Sequence, residues 1–126
     1  MAAMAPGNRG RLALSRWPGE DIYIGGRYRV RYVRVAKLDG RSVVDLDIYH
    51  GLLPGAPLAH KLTFAVDTSF EWYDGGYNLE IRVVRIEERG KIRVAIRAPL
   101  EWEISRSDFG IASHLKRQVA RAASGQ

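Results

Sequence analysis

The chain contains no cysteine, which excludes disulfide bonds and thiolate metal sites and favours a reducing, cytoplasmic setting. Long apolar runs are also missing. No stretch approaches the roughly 20 residues that a transmembrane helix needs, and residues 1–10 show no secretory signal pattern. With 126 residues, we expect one domain at about 11–122, flexible tails at 1–10 and 123–126, and no membrane span.

Signals of enzymatic chemistry are equally scarce. His50, His60 and His114 are isolated, and neither an H-E-x-x-H pattern nor a G-x-S-x-G elbow occurs. Asp45 and Asp47 alternate along one strand, as carboxylates on a solvated face do. No glycine loop of the phosphate-binding kind is present. The sequence therefore predicts no enzyme, no catalytic residue, no metal site and no cofactor.

Lysine is rare, whereas arginine is abundant. Lys and Arg total 20 against 14 Asp and Glu, for a net charge of +6, and 16 of the 20 cations are arginine. Basic surfaces attract polyanions, and the arginine fork pairs bidentately with phosphate or guanine. A basic surface also serves solubility alone. Charge by itself leaves both interpretations open.

Alternating apolar and polar residues dominate the chain and predict a mainly β fold. In 91–109 (KIRVAIRAPLEWEISRSDF), one strand runs to Ala98-Pro99, where proline interrupts the ladder. Leu100, Trp102, Ile104 and Arg106 share one face of the next strand, which therefore ends in an arginine. Helical spacing after this strand predicts one C-terminal helix. Phase changes after Tyr32 and at Val84 predict two β-bulges.

A repeat of about 50 residues underlies this pattern. Ile24-Gly25-Gly26 recurs as Asp74-Gly75-Gly76, and 31–35 recurs as 82–86 with the same phase change. Two β-meanders share alternation and glycine turns by chance as well, but the matched phase change favours a duplication. Repeat one spans about 11–58 and repeat two about 60–122.

Two segments resemble the carbon storage regulator family (CsrA/RsmE). Residues 12–25 (LALSRWPGEDIYIG) resemble its opening L-x-L-[TS]-R-[RK]-x-G-E and closing I-G, and 77–109 resembles the rest of the family, with its A-P-x-E-[IV]-x-[IV]-x-R strand and helix. That family consists of dimeric, RNA-binding post-transcriptional regulators that recognise GGA elements in hairpin loops. Two five-stranded chains interlock, so that each RNA site combines the first strand of one subunit with the last strand of the other.

The resemblance implies an RNA site built from both ends of this chain. The implied contacts are Leu14, Arg16, Trp17, Ala98, Pro99, Ile104 and Arg106. General physics agrees, because RNA readers grip unpaired bases with arginine forks, stacking planes and exposed strand edges. Trp17 departs from the family, which prefers a basic residue there, and serves either as a stacking plane or as packing on the sheet.

The second repeat has lost the motif, since Leu62, Phe64 and Val66 occupy the places of Leu12, Leu14 and Arg16. We therefore expect a small CsrA-like antiparallel β-sandwich or barrel formed as an intrachain pseudo-dimer, monomeric and with one intact RNA site. The expected RNA partners are GGA-containing hairpin loops of mRNA leaders or small RNAs. A regulatory small RNA or a protein antagonist is a further expected partner.

Several alternatives stay open at this point. Arg27, Arg29 and Arg31 form either a solvated face or additional phosphate contacts. Residues 27–76 are either a repeat or an insertion in a homodimer with two sites. A PilZ-like cyclic-dinucleotide receptor is suggested by the early arginines and 67–69, although Trp72 stands where that motif needs glycine. A protein-interaction β-domain without RNA binding is the remaining alternative.

Overall fold

A computed structural model describes residues 10–105. The mainly β class is confirmed, because this range forms nine strands and one short 3-10 turn, Glu88–Gly90. The strands are β1 Arg11–Arg16, β2 Asp21–Ile24, β3 Tyr28–Leu38, β4 Arg41–His50, β5 Leu58–Ala65, β6 Thr68–Asp74, β7 Tyr77–Ile86, β8 Ile92–Arg97 and β9 Ile104–Ser105. The predicted C-terminal helix and the predicted tail at 123–126 lie outside the described residues, as does the predicted flexible tail at 1–10 except for Gly10, which is buried and hydrogen-bonded to Ala98 and Trp102.

The strands form two antiparallel sheets, and each sheet contains strands from both halves of the chain. The four-stranded sheet has the order β1-β8-β7-β6, and the five-stranded sheet has the order β5-β4-β3-β2-β9. Strand β1 thus joins the ladder of the second half of the chain, and β5 joins the ladder of the first half. The two halves are interlocked, since each sheet takes an edge strand from the other half.

The two exchanged strands pair in the same register. Leu14 faces Val94, and Phe64 faces Val44. The equivalent positions, 14 and 64 or 94 and 44, are 50 residues apart, as the sequence repeat predicts. The sheets differ at their other edge, because β9 pairs with β2 whereas β6, the counterpart of β2, has no further strand beside it within residues 10–105.

Inward-facing side chains of both sheets form one hydrophobic core. Alternation along each strand places every second residue on this face, and full burial of one aliphatic side chain stabilises a fold by about 1.5–3 kcal/mol. The most fully buried side chains are Tyr32, Leu14, Ile24, Leu46, Ile48, Leu79, Ile81, Ile92, Ile104, Val30, Val44 and Val83.

Both predicted bulges are confirmed. The register shifts between Tyr32 and Arg34 in β3 and between Val83 and Arg85 in β7. The prediction for 100–106 is wrong in part, because Leu100 is exposed and lies in a turn that the Trp102 N–H closes by donating to the Pro99 carbonyl at 2.9 Å. Proline cannot donate to a ladder, and the strand therefore begins only at Ile104.

Across residues 10–105, the structure contains no helix that is long and apolar enough to cross a membrane. The same range holds no group of three or more metal-ligating side chains.

Candidate nucleic-acid interface

Two strand edges that no other strand of the described range covers meet at one corner of the sandwich. We call it the β1/β9 corner and define it as residues 10–17 and 98–105. The Gly10 N–H donates to the Trp102 carbonyl at 3.2 Å, and the Ala98 N–H donates to the Gly10 carbonyl at 2.7 Å. These bonds join the start of β1 to the segment that leads into β9. The corner therefore combines an edge of each sheet.

Main-chain groups point outward along both edges. Hydrogen-bonded and non-hydrogen-bonded pairs alternate in an antiparallel ladder. Because Gly10 is bonded to Ala98, the even positions of β1 bond to β8, and Arg11, Ala13 and Ser15 direct their N–H and C=O groups away from it. Strand β9 bonds to β2 at Ser105, so the Ile104 main chain faces outward.

The predicted contacts Leu14 and Ile104 have buried side chains. Each is only 1% exposed and belongs to the core. Leu14 also uses its main chain to bond to β8, and it therefore supports the edge without offering a group to a ligand. Ala98 is buried and Pro99 half-buried, and together they shape the turn between β8 and β9.

Arg16 anchors the turn that leads from β1 to β2. Its Nε donates to the Ser15 carbonyl at 2.9 Å, and its Nη1 donates to the Asp21 carbonyl at 3.2 Å. The Glu20 carboxylate lies 3.5 Å from Nε. Most of the side chain is buried, so Arg16 holds the corner together instead of projecting freely into solvent. Arg106, the other predicted arginine, lies outside the described residues.

Trp17 follows β1 directly and is 42% exposed. Its backbone N–H donates to Glu20 Oε1 at 2.7 Å, and Lys91 Nζ lies 5.5 Å from the centre of its ring. The indole is partly exposed, so a flat aromatic surface and a cation stand together at the end of the β1 edge.

The arginines of β3 and of the turn before it are engaged within the protein. Arg29 is only 8% exposed, with its guanidinium 4.3 Å from the ring centre of Tyr49, so its assignment to a solvated face is wrong. Arg31 donates to both carboxylate oxygens of Asp21, at 2.9 and 3.2 Å, and this hydrogen bonding raises the pKa of Arg31. Arg27 lies 5.0 Å from the ring centre of Trp102.

A groove beside β1, whose charged lining residues are Arg11, Arg82, Arg97 and Glu80, was missed from the sequence. It encloses about 420 Å³ on the outer face of the four-stranded sheet, with Ala13 and Ala95 in its lining. Arg11 also lines it, and Arg93 lies on the same face one residue pair further along β8. Within residues 10–105, neither of these two arginines has an acidic partner. The alternation of arginine and alanine along β8 was the available signal.

Trp102 fixes β9 against β2 by packing on a glycine. A Cβ built on Gly25 would lie 2.4 Å from Trp102 Cε3, which is closer than real contacts permit. Tyr77 also packs against the indole, with ring centres 5.1 Å apart. The absence of a side chain at Gly25 therefore makes room for the residue that positions the β9 edge.

Comparison with known proteins identifies no relative: no family model, no curated protein and no solved structure matches the chain. Residue geometry and the sequence resemblance given above therefore carry the functional argument.

Proposed function

We propose that this protein is an RNA-binding post-transcriptional regulator of the carbon storage regulator type, which reads a GGA element in a hairpin loop at the β1/β9 corner. The observation that carries the proposal is the meeting of two open strand edges, joined through Gly10 and Trp102 and flanked by the exposed ring of Trp17.

The exchange of strands supports the further proposal that the chain is a fused pseudo-dimer. In the family, the first strand of one subunit lies with the last strand of the other. Here β1 comes from the first repeat and β9 from the second, and their edges meet at one corner. Residues 27–76 supply β3, β4, β5 and β6, which belong to both sheets, and this favours a repeat over an insertion.

Main-chain groups are the chemistry we assign to base recognition. The outward N–H and C=O groups of Arg11, Ala13 and Ile104 offer donors and acceptors to the edges of unpaired bases, which is how single-stranded RNA is read. Trp17 offers a stacking plane, worth about 1–3 kcal/mol per base. Arg11 and Arg93, which have no acidic partner within residues 10–105, provide cations for the backbone phosphates, a role that the geometry does not support for Arg29.

Fluorescence anisotropy with a labelled GGA-loop hairpin, against the same hairpin with a mutated loop, tests this proposal. We expect preference for GGA and a steep fall of affinity with salt, because phosphate contacts release counterions. Trp17→Ala should weaken binding by about tenfold, as expected for loss of one stacked base. Equal affinity for both loops at every salt concentration would contradict sequence-specific recognition.

A matched pair of proline variants isolates the β1 edge. Ala13→Pro removes one outward N–H from β1. Thr63→Pro removes the equivalent N–H from β5 at the opposite corner, together with the hydroxyl that donates to Asp45 at 2.7 Å. We expect only Ala13→Pro to weaken hairpin binding, with circular dichroism confirming that both variants fold. Equal effects of the two variants would remove the β1 edge from the interface.

A second candidate function is protein interaction without RNA binding. It is favoured by the internal hydrogen bonds of Arg16, which occupy a guanidinium that the family resemblance assigns to RNA. Failure of the hairpin to bind would support that candidate. An RNA affinity that Arg106→Ala leaves unchanged would support it as well.

A further inference from the structure

The β6 edge of the four-stranded sheet is long, open and unprotected. Strand β6 (TSFEWYD) pairs with β7 over seven residues without a bulge, and no strand lies on its other side within residues 10–105. Edge strands that must avoid other chains carry lysine, proline or bulges. Strand β6 has no lysine, proline or bulge, and its two charged residues, Glu71 and Asp74, are paired with Arg97 and Arg27 of the same chain. Tyr73 on this strand is strongly exposed.

Strand β2 is the equivalent of β6 in the first repeat, and its edge is covered by β9. Gly25 donates its N–H to the Glu103 carbonyl at 2.7 Å, and Tyr23 pairs with Ser105. The alternation of hydrogen-bonded pairs gives β6 the same pattern 50 residues later, so the main-chain groups of Tyr73 and Gly75 point away from β7. The main-chain groups that hold β9 on β2 therefore recur on β6.

The seat of the tryptophan also recurs, and no side chain of residues 10–105 fills it. Gly75 has φ +58° and Gly25 has φ +62°. A Cβ at Gly25 would collide with Trp102, whereas a Cβ at Gly75 would meet no atom within 4 Å. The space that an aromatic ring fills above Gly25 is thus open above Gly75.

One difference between the copies indicates the charge of the missing residue. Ile24 faces Ile104 across the β2–β9 pair. The equivalent of Ile24 on β6 is Asp74, whose carboxylate lies 3.5 Å from Arg27. An opposite charge directly across a pair of strands is stabilising, so a basic residue suits the place that Ile104 takes in the other copy.

We propose that the β6 edge binds an extended segment of a partner protein, which adds antiparallel to β6, places a large aromatic side chain over Gly75 and, two residues later, a basic side chain opposite Asp74. Main-chain hydrogen bonds at Tyr73 and Gly75 supply the affinity, and the two side chains supply the specificity, as in other cases of strand addition. The proposed site rests on no RNA contact, and β1 and β6 are opposite edges of their sheet. The end of β6 nevertheless lies near β9, because Asp74 is 3.5 Å from Arg27, whose guanidinium is 5.0 Å from the ring centre of Trp102.

The chain itself provides the probe. A fluorescent peptide with the sequence of residues 98–106, but with arginine in place of Ile104 (APLEWERSR), is titrated against the full chain. We expect saturable binding, main-chain NMR shifts at Glu71, Tyr73 and Gly75, and weaker binding of the peptide that keeps isoleucine. No binding up to about 1 mM, or shifts confined to β2 and β9, would overturn the proposal.

Two glycine variants control for backbone strain. Gly75→Ala places a methyl group where the aromatic ring would sit, whereas Gly76→Ala, at φ +90° in the same turn, also meets open space. Both are strained, so both should lose similar thermal stability. Only Gly75→Ala should lose peptide affinity, by about tenfold or more. Equal affinities of the two variants would overturn the proposed seat.

Charge and self-association complete the test. Asp74→Asn should reduce affinity for the arginine peptide severalfold and leave the isoleucine peptide unaffected, and an equal effect on both would remove the basic residue from the proposal. Light scattering of the chain alone should show no dimer formed through the β6 edge, which would be recognised by its loss in the Gly75→Ala variant. Such a dimer would make a second copy the occupant and overturn the assignment to a partner protein.

Discussion

Gly25→Ala tests whether Trp102 holds β9, and with it one wall of the proposed RNA site. The new methyl group would lie 2.4 Å from Trp102 Cε3 and 2.6 Å from Cδ2, so the indole must move. Trp102 is only 7% exposed, and complete removal of a buried Trp side chain costs about 3–5 kcal/mol. Displacement without removal should cost about half of that, or roughly 2 kcal/mol.

Gly75→Ala is the matched control for this prediction. Both glycines have left-handed backbones, at φ +62° and +58°, and a residue with a Cβ loses about 1–2 kcal/mol there. The strain is common to both variants, whereas the collision occurs only at Gly25. We expect Gly25→Ala to be less stable than Gly75→Ala by about 2 kcal/mol, with correspondingly weaker hairpin binding.

Urea unfolding followed by tryptophan fluorescence measures this difference. The slope of the free energy with urea should be similar in both variants, so that the midpoints report stability directly. A difference smaller than about 0.5 kcal/mol would refute the reasoning that Trp102 is seated on Gly25. An unstable Gly25→Ala that binds the hairpin with full affinity would separate β9 from the RNA site.

Further predictions concern buried polar groups. Asp21→Asn should destabilise the fold by about 3 kcal/mol in urea unfolding, because it leaves the buried Arg29 cation without its carboxylate. Asp45→Asn removes a carboxylate whose arginine partner is exposed, and it should cost less than about 1 kcal/mol. Equal losses of stability in the two variants would contradict this reasoning. Burial raises the pKa of Tyr32 from 10.0 to about 12. The neutral phenol is therefore favoured on folding, and its contribution is complete below pH 10 and lost as the pH rises towards 12. Tyr32→Phe removes the bond to the Gly90 carbonyl, which should cost about 1 kcal/mol at neutral pH and flatten the alkaline loss of stability; an unchanged alkaline profile would contradict the role of burial.

Local pattern predicted the strands and their irregularities well. Alternation is a property of each strand by itself, and a bulge appears in the sequence as a change of phase, as at Val84. Turn chemistry was equally readable, since β8 ends at Arg97, just before Ala98-Pro99. These features depend on near neighbours in the sequence, which the sequence shows directly.

Contacts between distant segments were not predictable in the same way. Arg29 alternates like a solvated residue, yet Tyr49 and Asp21 cover it from neighbouring strands. Arg16 ends an apolar face as a ligand-binding arginine would, but its donors are taken by the backbone of the following turn. The seat of Trp102 on Gly25 joins residues 77 positions apart, and no local pattern reveals it.

The mass of the RNA complex tests most directly whether a single chain supplies both walls of the site. Native mass spectrometry of the protein with a GGA-loop hairpin should find one chain with one hairpin, and the mutated-loop hairpin should form no complex at the same concentration. Two chains carrying two hairpins would contradict the fused pseudo-dimer, and no complex with either hairpin would contradict the proposed function itself.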